Sequence, residues 1–421
     1  MSEETTAADP PADAAWRWNA YPDFVLNCAS RFAVTLGTQV QTVAIGWFVY
    51  DMTGSAVALG IIGLAAFLPA VALMLVTGYV SDRYDRRLVL TLCCATMSVA
   101  ALAQLALVAS NAAIMWLLYL TVVVHGAGRA FYLPANSAVL PNLVPRRHFA
   151  NAVAFATAVS QAANISGPAV GGILYAVSPN LAFAAALAFY AIGAVCNFAI
   201  SYRSTPARTA TTSLDDLFAG FRFMWSKEVI LGALTLDLLV VVLGGAVSLL
   251  PIFAKDILNV GPEGLGLLRS APAAGALIMG VVLARRNFME RKAGSRMIMS
   301  VIIFGLANLG FGLSESFALS FLFLALMGAA DTASVVVRMT LVQAETPDAL
   351  RGRVAADAAA DVTKSRTSAT STTAPTTRRN VRWEVSCTSW SRRRSSSRRR
   401  ALRALISSGL TWAAQTDASR S

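Results

Sequence analysis

The chain has 421 residues, of which 56% are hydrophobic and only 14% are charged. Soluble globular proteins carry about 25% charged residues, so this composition excludes an ordinary soluble domain and indicates a polytopic membrane protein. The net charge of +12 is concentrated at one end, because residues 356–421 hold 13 Lys and Arg against 4 Asp and Glu.

Ten apolar segments are long enough to cross a hydrocarbon core as helices, which takes about 20 apolar residues. The segments are residues 24–50, 56–79, 88–109, 112–133, 150–176, 181–200, 229–254, 264–284, 297–313 and 317–341. The polar, acidic start of the chain lacks the basic region of a cleaved signal peptide, so we expect the first segment to remain in the mature protein. The sequence predicts an all-α, multi-pass membrane protein.

The basic residues between these segments predict the orientation, since cytoplasmic loops retain Lys and Arg. Only Lys255 falls on one side, whereas 15 basic residues fall on the other. The 15 are Arg17, Arg83, Arg86, Arg87, Arg146, Arg147, Arg203, Arg208, Arg222, Lys227, Arg285, Arg286, Arg291, Lys292 and Arg296. We therefore expect the N-terminus in the cytoplasm.

A polar stretch divides the chain into a six-helix half and a second half that begins in the same way. Each half places an Asp, a Pro, a Gly and an Arg in the same order over its first two helices. The corresponding residues are Asp51 and Asp256, Pro69 and Pro272, Gly78 and Gly280, and Arg83 and Arg285. Parallel repeats place a transport site near the bilayer midplane between two bundles; the alternative is a set of ordinary membrane hairpins with basic inner loops.

The predicted organisation has five parts in chain order. They are a cytoplasmic N-terminal segment (1–23), a six-helix bundle (24–200), a cytoplasmic linker (201–228), an incomplete four-helix bundle (229–355) and a basic low-complexity tail (356–421).

The loop after the second segment reads GYVSDRYDRR, with Gly78, Asp82, Arg83, Arg86 and Arg87 in the pattern G-x-x-x-D-R-x-x-R-R. A carboxylate at a membrane edge can pair with Arg or accept from a helix N-terminus, and such a contact forms in one conformation and breaks in another. The loop resembles the signature loop of the major facilitator superfamily, which implies a cytoplasmic conformational latch. The alternative is that its arginines only keep the loop on the cytoplasmic side of the membrane.

The fifth segment contains ANISGPAVGGIL, with Gly167, Pro168, Gly171 and Gly172. Pro removes a backbone hydrogen bond, and Gly lets a neighbouring helix approach closely. The run is similar to the G-P-x-x-G-G pattern of exporters in the same superfamily, although Gly and Pro are frequent in membrane helices generally. The resemblance implies an export-type bundle with about 10 of the usual 12 helices.

The first two segments, RFAVTLGTQVQTVAIGWFVYDMTGSAVALGIIGLAAFLPAV, and the later run ETPDALRGRV resemble the enterobactin-exporter branch of that superfamily. The resemblance covers about residues 25–355. It implies a monomeric exporter in a bacterial cytoplasmic (inner) membrane, which moves siderophore-like or drug-like small molecules by proton antiport. Its expected partners are the small-molecule substrate, protons and the lipid bilayer.

Charged side chains inside the bilayer cost about 2.5–3.5 kcal/mol each, so the few that occur are candidates for a substrate or proton site. With two glutamines, the candidates are Arg31, Gln39, Gln41, His125, Arg129, Asp237, Arg269, Asp331 and Arg338. We expect Asp237 to carry the coupling proton; its alternative is an ion pair with Arg269 or Arg31. His125 ordinarily titrates near neutral pH, but a lone His is more often hydrogen-bonded packing.

Two further groups of candidates have open interpretations. Arg31 with Gln39 and Gln41 is suited to an anionic, catecholate-type substrate. Asp331 and Arg338 are seven residues apart and share a helix face, so an interhelical structural pair and a substrate contact are both open.

The sequence carries no hydrolase, kinase or dinucleotide signature and no G-x-x-x-x-G-K-[ST] loop for ATP. Its five cysteines lack metal-ligand spacing. We therefore expect a protein that is not an enzyme, without cofactor or metal, that is driven by an ion gradient and has no nucleic-acid partner.

After Val354 the sequence changes abruptly to a stretch that is rich in Ser, Thr and Arg and has no apolar segment. In the family that the chain resembles, two more helices would follow here. We interpret this as translation in a wrong frame of a GC-rich gene, and we expect impaired transport. The alternative is a genuine basic tail, disordered alone, that binds anionic lipid or nucleic acid. The alternative function is accordingly a truncated, non-transporting membrane protein or a membrane anchor.

Overall fold

The structure, a computed structural model, describes seven ranges of the chain. They are residues 16–73, 76–77, 80, 83–110, 114–202, 245–285 and 293–345. Three candidate residues, Gly78, Asp82 and Asp237, lie outside these ranges. The predictions for the tail (356–421) and for most of the linker also concern residues outside them.

Every regular element in the described ranges is helical, which confirms the all-α prediction. The helices of the N-terminal half are α1 Pro22–Thr53, α2 Ala56–Ala72, α3 Arg86–Ala109, α4 Met115–Leu143, α5 Phe149–Val177 and α6 Pro179–Ala199. Those of the C-terminal half are α7 Leu250–Ile252, α8 Pro262–Arg285, α9 Ala293–Gly312 and α10 Phe317–Glu345. The α7 turn lies between a 3-10 turn at Gly245–Leu249 and a π-helical turn at Phe253–Ile257.

Local sequence signals set several helix ends. Gly54 ends α1 in a left-handed conformation, with φ of 58°, which Gly adopts without steric cost. The Ser55 side chain then accepts a hydrogen bond from the Ala58 backbone N–H at the start of α2. The Asp85 side chain caps α3 in the same way by accepting from the Arg87 backbone N–H.

The fourth helix is longer than the sequence predicted. The prediction ended this segment at residue 133, whereas α4 continues to Leu143 with Pro134 and Pro141 inside it. Pro interrupts helices in water, but membrane helices tolerate it because neighbouring groups satisfy the freed carbonyls.

Six described helices, α1, α3, α6, α8, α9 and α10, are long and apolar enough to cross a membrane. Large apolar side chains point away from the protein on several of them: Leu92, Val195 and Leu306 are more than 60% exposed (66%, 67% and 62%). An apolar outer surface of this extent is what a lipid-facing protein requires.

Helix α1 is central to the N-terminal half and packs on α5 and α6, while α3 packs on α4 and α6. In the C-terminal half α10 packs on both α8 and α9. The largest contact between the halves is that of α5 with α8. The crossing of α5 and α8 therefore joins the two helix bundles.

Candidate functional site

A stripe of polar side chains joins α1 to α5. Arg31 Nε donates to Ser160 Oγ at 2.6 Å, and Gln39 Nε2 donates to Asn164 Oδ1 at 3.0 Å. Asn164 Nδ2 in turn donates to Gln161 Oε1 at 3.1 Å. All five side chains are partly buried, so the stripe lies at the edge of the N-terminal bundle. The structure thus brings together two of the predicted site residues, Arg31 and Gln39, on one wall.

A separate polar network holds the interior of the N-terminal half. Tyr190 donates its hydroxyl hydrogen to Gln41 Oε1 at 2.5 Å, and Gln41 Nε2 donates to Gln104 Oε1 at 2.6 Å. Gln104 Nε2 donates to Thr121 Oγ1 at 3.1 Å. His125 Nε2 lies 2.9 Å from the Tyr190 hydroxyl, and it must be the donor because that hydroxyl hydrogen is used on Gln41.

This network links α1, α3, α4 and α6. Gln41 is 1% exposed and His125 is 8% exposed. Two of the predicted substrate-site residues therefore lie within the N-terminal bundle, where they hydrogen-bond other buried side chains.

The remaining described candidates lie on α4, α8 and α10. Arg129 is exposed on α4, and Arg269 is partly buried on α8. Asp331 is exposed on α10, and Arg338 is partly buried two turns further along the same helix.

The glycines of α5 face two different helices. A methyl group at Gly167 would lie 2.6 Å from the Gln39 Cβ, and one at Gly171 would lie 2.8 Å from the Val40 Cα. These distances are shorter than any ordinary carbon contact, so glycine at both positions lets α5 lie directly against α1.

The next glycine of α5 meets the other half of the protein. A methyl group at Gly172 would lie 3.0 Å from the Gly266 Cα of α8, and even closer to the Pro262 carbonyl oxygen. A methyl group at Gly266 would in turn meet the Pro168 carbonyl oxygen. The two helices thus cross in backbone contact. The sequence pattern predicted close packing here, but Gly266 was not among the predicted residues.

Polar contacts join the same two halves beyond this crossing. Lys255 Nζ, in the π-helical turn after α7, lies 2.5 Å from Asp51 Oδ1 near the end of α1. The Tyr50 hydroxyl donates to Asp256 Oδ2. Asp51 and Asp256 are the corresponding residues of the two halves, so each Asp bonds the residue that precedes the other.

The described part of the predicted latch loop joins three helices of the N-terminal half. Arg86 Nη1 donates to the Ala138 carbonyl of α4 at 2.9 Å. Arg87 donates to the Phe198 carbonyl of α6, and its guanidinium lies 4.9 Å from the centre of the Phe198 ring. Arg83 lies three residues before the start of α3.

Several polar contacts around the candidate residues were missed from the sequence. Ser160, Asn164, Gln104 and Tyr190 are polar residues within otherwise apolar helices, and that is the signal that identifies them in retrospect. Within the described residues there is no group of three or more His, Cys, Asp or Glu side chains able to hold a metal ion.

Comparisons with known proteins agree with this architecture. Residues 28–357 match the family described as Major Facilitator Superfamily. The chain is 26% identical over 340 residues to the enterobactin exporter EntS of Shigella boydii serotype 4 (strain Sb227). This alignment covers 79% of this chain and 80% of that protein. It is 24% identical over 338 residues to the uncharacterized MFS-type transporter YfiS of Bacillus subtilis (strain 168), covering 77% and 80%.

A solved structure shares the fold. It is a bacterial homologue of the iron transporter ferroportin in an inward-facing state, with a TM-score of 0.61 and 18% identity, covering 81% of this chain and 88% of that one. The family match spans most of the chain, and its members are membrane transporters rather than enzymes. The chain therefore belongs to the Major Facilitator Superfamily.

Proposed function

We propose that the protein is a secondary active exporter of small molecules, siderophore-like or drug-like, which works by proton antiport and alternating access. The observation that carries the proposal is the contact between the halves, where Gly172 meets Gly266 and Asp51 meets Lys255. A two-bundle transporter must make and break such contacts at one end of its helices to expose a central site alternately to each side.

The proposed orientation places the N-terminus in the cytoplasm of a bacterial inner membrane. The Asp51–Lys255 contact then lies on the outer side, and the five-part organisation given above is part of the proposal. Reporter fusions after Lys255 and after Arg291 test this topology. They should report the outer and the cytoplasmic side respectively, and the same side for both would overturn it.

The proposed substrate site is the polar wall of Arg31 and Gln39 together with the charged residues of the facing helices. Relatives named as enterobactin exporters support a siderophore-like substrate. A neutral amide pair beside a guanidinium offers donors and acceptors to a large, polar organic molecule. We assign Asp237 the coupling proton, and we assign Gly78, Asp82 and the three loop arginines the role of a cytoplasmic latch.

Transport into inside-out membrane vesicles tests the function directly. An acidic vesicle interior drives a proton antiporter to accumulate substrate, so uptake of enterobactin, erythromycin and ethidium is measured with and without an imposed pH gradient. At least one compound should accumulate only with the gradient and only in vesicles that contain the protein. Gradient-independent uptake of all three, equal to that of vesicles without the protein, would overturn the proposal.

A second candidate function is that of a non-transporting membrane protein with a basic tail. It is favoured by the family match, which ends at residue 357, just before the basic stretch. We propose that transport by this chain is weaker than that of a version in which two apolar helices follow residue 354. We propose that the basic stretch arose by translation in a wrong frame after codon 354. Translating the gene beyond codon 354 in its other two frames tests this proposal. Two apolar stretches in one frame would support it, and their absence from both frames would reject it.

A further inference from the structure

A second group of polar side chains lies inside the N-terminal half. Asn27 Nδ2 of α1 donates to Asn136 Oδ1 of α4 at 3.1 Å. Ser30 Oγ, one turn further along α1, donates to the Gly193 carbonyl oxygen of α6 at 3.1 Å. Tyr132 of α4 lies one turn before Asn136 and beside Ser30. These contacts bring α1, α4 and α6 together at one level of the bundle.

Helix α3 completes the group. Asn197, one turn after Gly193 on α6, donates from Nδ2 to Cys94 Sγ of α3 at 3.4 Å. A methyl group at Gly193 would lie 3.5 Å from this sulfur and 3.6 Å from Ser30 Oγ, so the thiol and the hydroxyl flank the same point of α6. No member of the group is more than 4% exposed. We call it the asparagine cluster, and its members are Asn27, Ser30, Cys94, Tyr132, Asn136 and Asn197.

Three polar atoms of the asparagine cluster are buried without a hydrogen-bond partner among the described residues. They are Asn27 Oδ1, Asn197 Oδ1 and the Tyr132 hydroxyl oxygen. The Tyr132 hydroxyl lies beside Ser30 but outside hydrogen-bonding geometry. Rotating the Asn197 amide by half a turn would leave its NH2 group unpaired in place of the oxygen, so a partner is required in either orientation.

Water is the partner whose chemistry fits these three atoms. A polar group that is buried without a hydrogen bond is costly, because its lost contacts with solvent are not replaced. Water has two hydrogens for the two amide oxygens and a lone pair for the Tyr132 hydrogen, and buried waters form about three hydrogen bonds each. The cluster contains no Asp, Glu, Lys, Arg or His, so a bound ion would have no countercharge within it.

We propose that the asparagine cluster is a binding site for internal water, which joins Asn27 on α1, Tyr132 on α4 and Asn197 on α6. The water donates to the two amide oxygens and accepts from the Tyr132 hydroxyl. It replaces direct contacts between these side chains and holds the three helices together at this level. The site does not depend on the proposed transport function.

Radiolytic labelling of the purified full chain in detergent tests the proposal. A short X-ray pulse converts water to hydroxyl radicals, and a radical formed from a bound water attacks the side chain beside it even where bulk water is excluded. Mass spectrometry should therefore find Tyr132 hydroxylated, although it is only 4% exposed. Asn197→Leu, which replaces the amide by an apolar side chain of similar shape, should reduce this labelling severalfold. Asn142→Leu changes an exposed asparagine near the end of α4; it is the matched control and should label like the wild type.

Thermal unfolding of Tyr132→Phe in detergent is a second measurement, in which the sign of the shift decides. Removing a hydroxyl that donates to water breaks a hydrogen bond, so the unfolding temperature should fall by about 2 °C. Removing a hydroxyl without a partner would instead relieve a desolvation cost and leave the unfolding temperature unchanged or raised. This measurement changes neither asparagine, so it does not require Asn197→Leu to fold.

Three results would overturn the inference. They are wild-type protein in which Tyr132 is not labelled, labelling of Tyr132 that Asn197→Leu leaves unchanged, and an unfolding temperature of Tyr132→Phe equal to or above that of the wild type. Increased labelling in Asn197→Leu would identify a variant that no longer folds. The wild-type labelling and the Tyr132→Phe shift would then decide between a hydrated and a dry cluster.

Discussion

Gly172 of α5 and Gly266 of α8 bring the backbones of the two halves together, and a methyl group on either would lie 3.0 Å from the Cα of the other. The neighbouring carbonyl oxygens of Pro262 and Pro168 are closer still. Backbone atoms cannot rotate away as a side chain can, so the crossing depends on both glycines.

Gly172→Ala should therefore separate the halves and reduce transport. Overpacking costs about 1–3 kcal/mol, which would shift the equilibrium away from the closed contact by about 5- to 150-fold. The measurement is the yield of a disulfide between cysteines introduced at positions 51 and 255, together with the vesicle uptake rate. Both should fall.

Gly60→Ala on α2 is the matched control, because no atom lies within 4 Å of a methyl group placed there. It should leave the crosslink and the uptake rate unchanged. Wild-type crosslinking in Gly172→Ala would contradict the assigned role of the crossing.

The Asp51–Lys255 pair should bias the conformation without determining the fold. Its side chains are 56% and 39% exposed, and exposed ion pairs contribute about 0.2–1 kcal/mol. Asp51→Lys should lower the uptake rate a few-fold, and the exchange Asp51→Lys/Lys255→Asp should restore it. Because exposed charges are screened by salt, the difference should shrink in concentrated salt.

Glu315→Lys reverses an exposed carboxylate elsewhere and is expected to have no such effect. Failure of the exchanged pair to recover would show that the contact between Asp51 and Lys255 is incidental.

Tyr190→Phe should destabilise the N-terminal half. Its hydroxyl donates to Gln41 and accepts from His125. The substitution would leave both of these buried side chains without this hydrogen-bond partner. Leaving a buried group unsatisfied costs about 1–3 kcal/mol, although hydrogen bonds between membrane helices average about 0.6 kcal/mol. Thermal unfolding in detergent should therefore begin several degrees lower.

Tyr119→Phe is the control, since the Tyr119 hydroxyl forms no hydrogen bond with other described residues. Equal unfolding temperatures for Tyr190→Phe and the wild type would show that the network contributes little to stability.

The apolar segments could be predicted from the sequence, but the partners of particular residues could not. Runs of about 20 apolar residues are required by the bilayer itself, so the starts of α8 and α10 were predicted within two residues. The end of α4 was missed because Pro134 is a helix breaker in water but not necessarily within a helix bundle.

The glycine run around Gly172 indicated a close helix contact, because only glycine leaves the backbone accessible. Its partner, Gly266, could not be predicted, because the residue pattern does not show which two helices come together in the tertiary structure. Arg31 could be singled out because a charge inside the membrane is costly. Its acceptor Ser160 could not, because serine is common in membrane helices.

Asp237→Asn should uncouple transport from the proton gradient if this residue carries the coupling proton. An amide cannot take up and release a proton, so gradient-driven uptake should be lost while exchange of substrate across the membrane persists. The measurement compares both activities in the same vesicles, with Glu315→Gln as the control. Retained gradient-driven uptake would assign the proton to another group.

Substrate uptake into inside-out vesicles with an imposed pH gradient is the most direct test of proton-coupled export. The account predicts accumulation of at least one compound among enterobactin, erythromycin and ethidium, dependent on the protein and abolished when an ionophore collapses the gradient. Uptake of all three that is indistinguishable from that of vesicles without the protein would contradict the account.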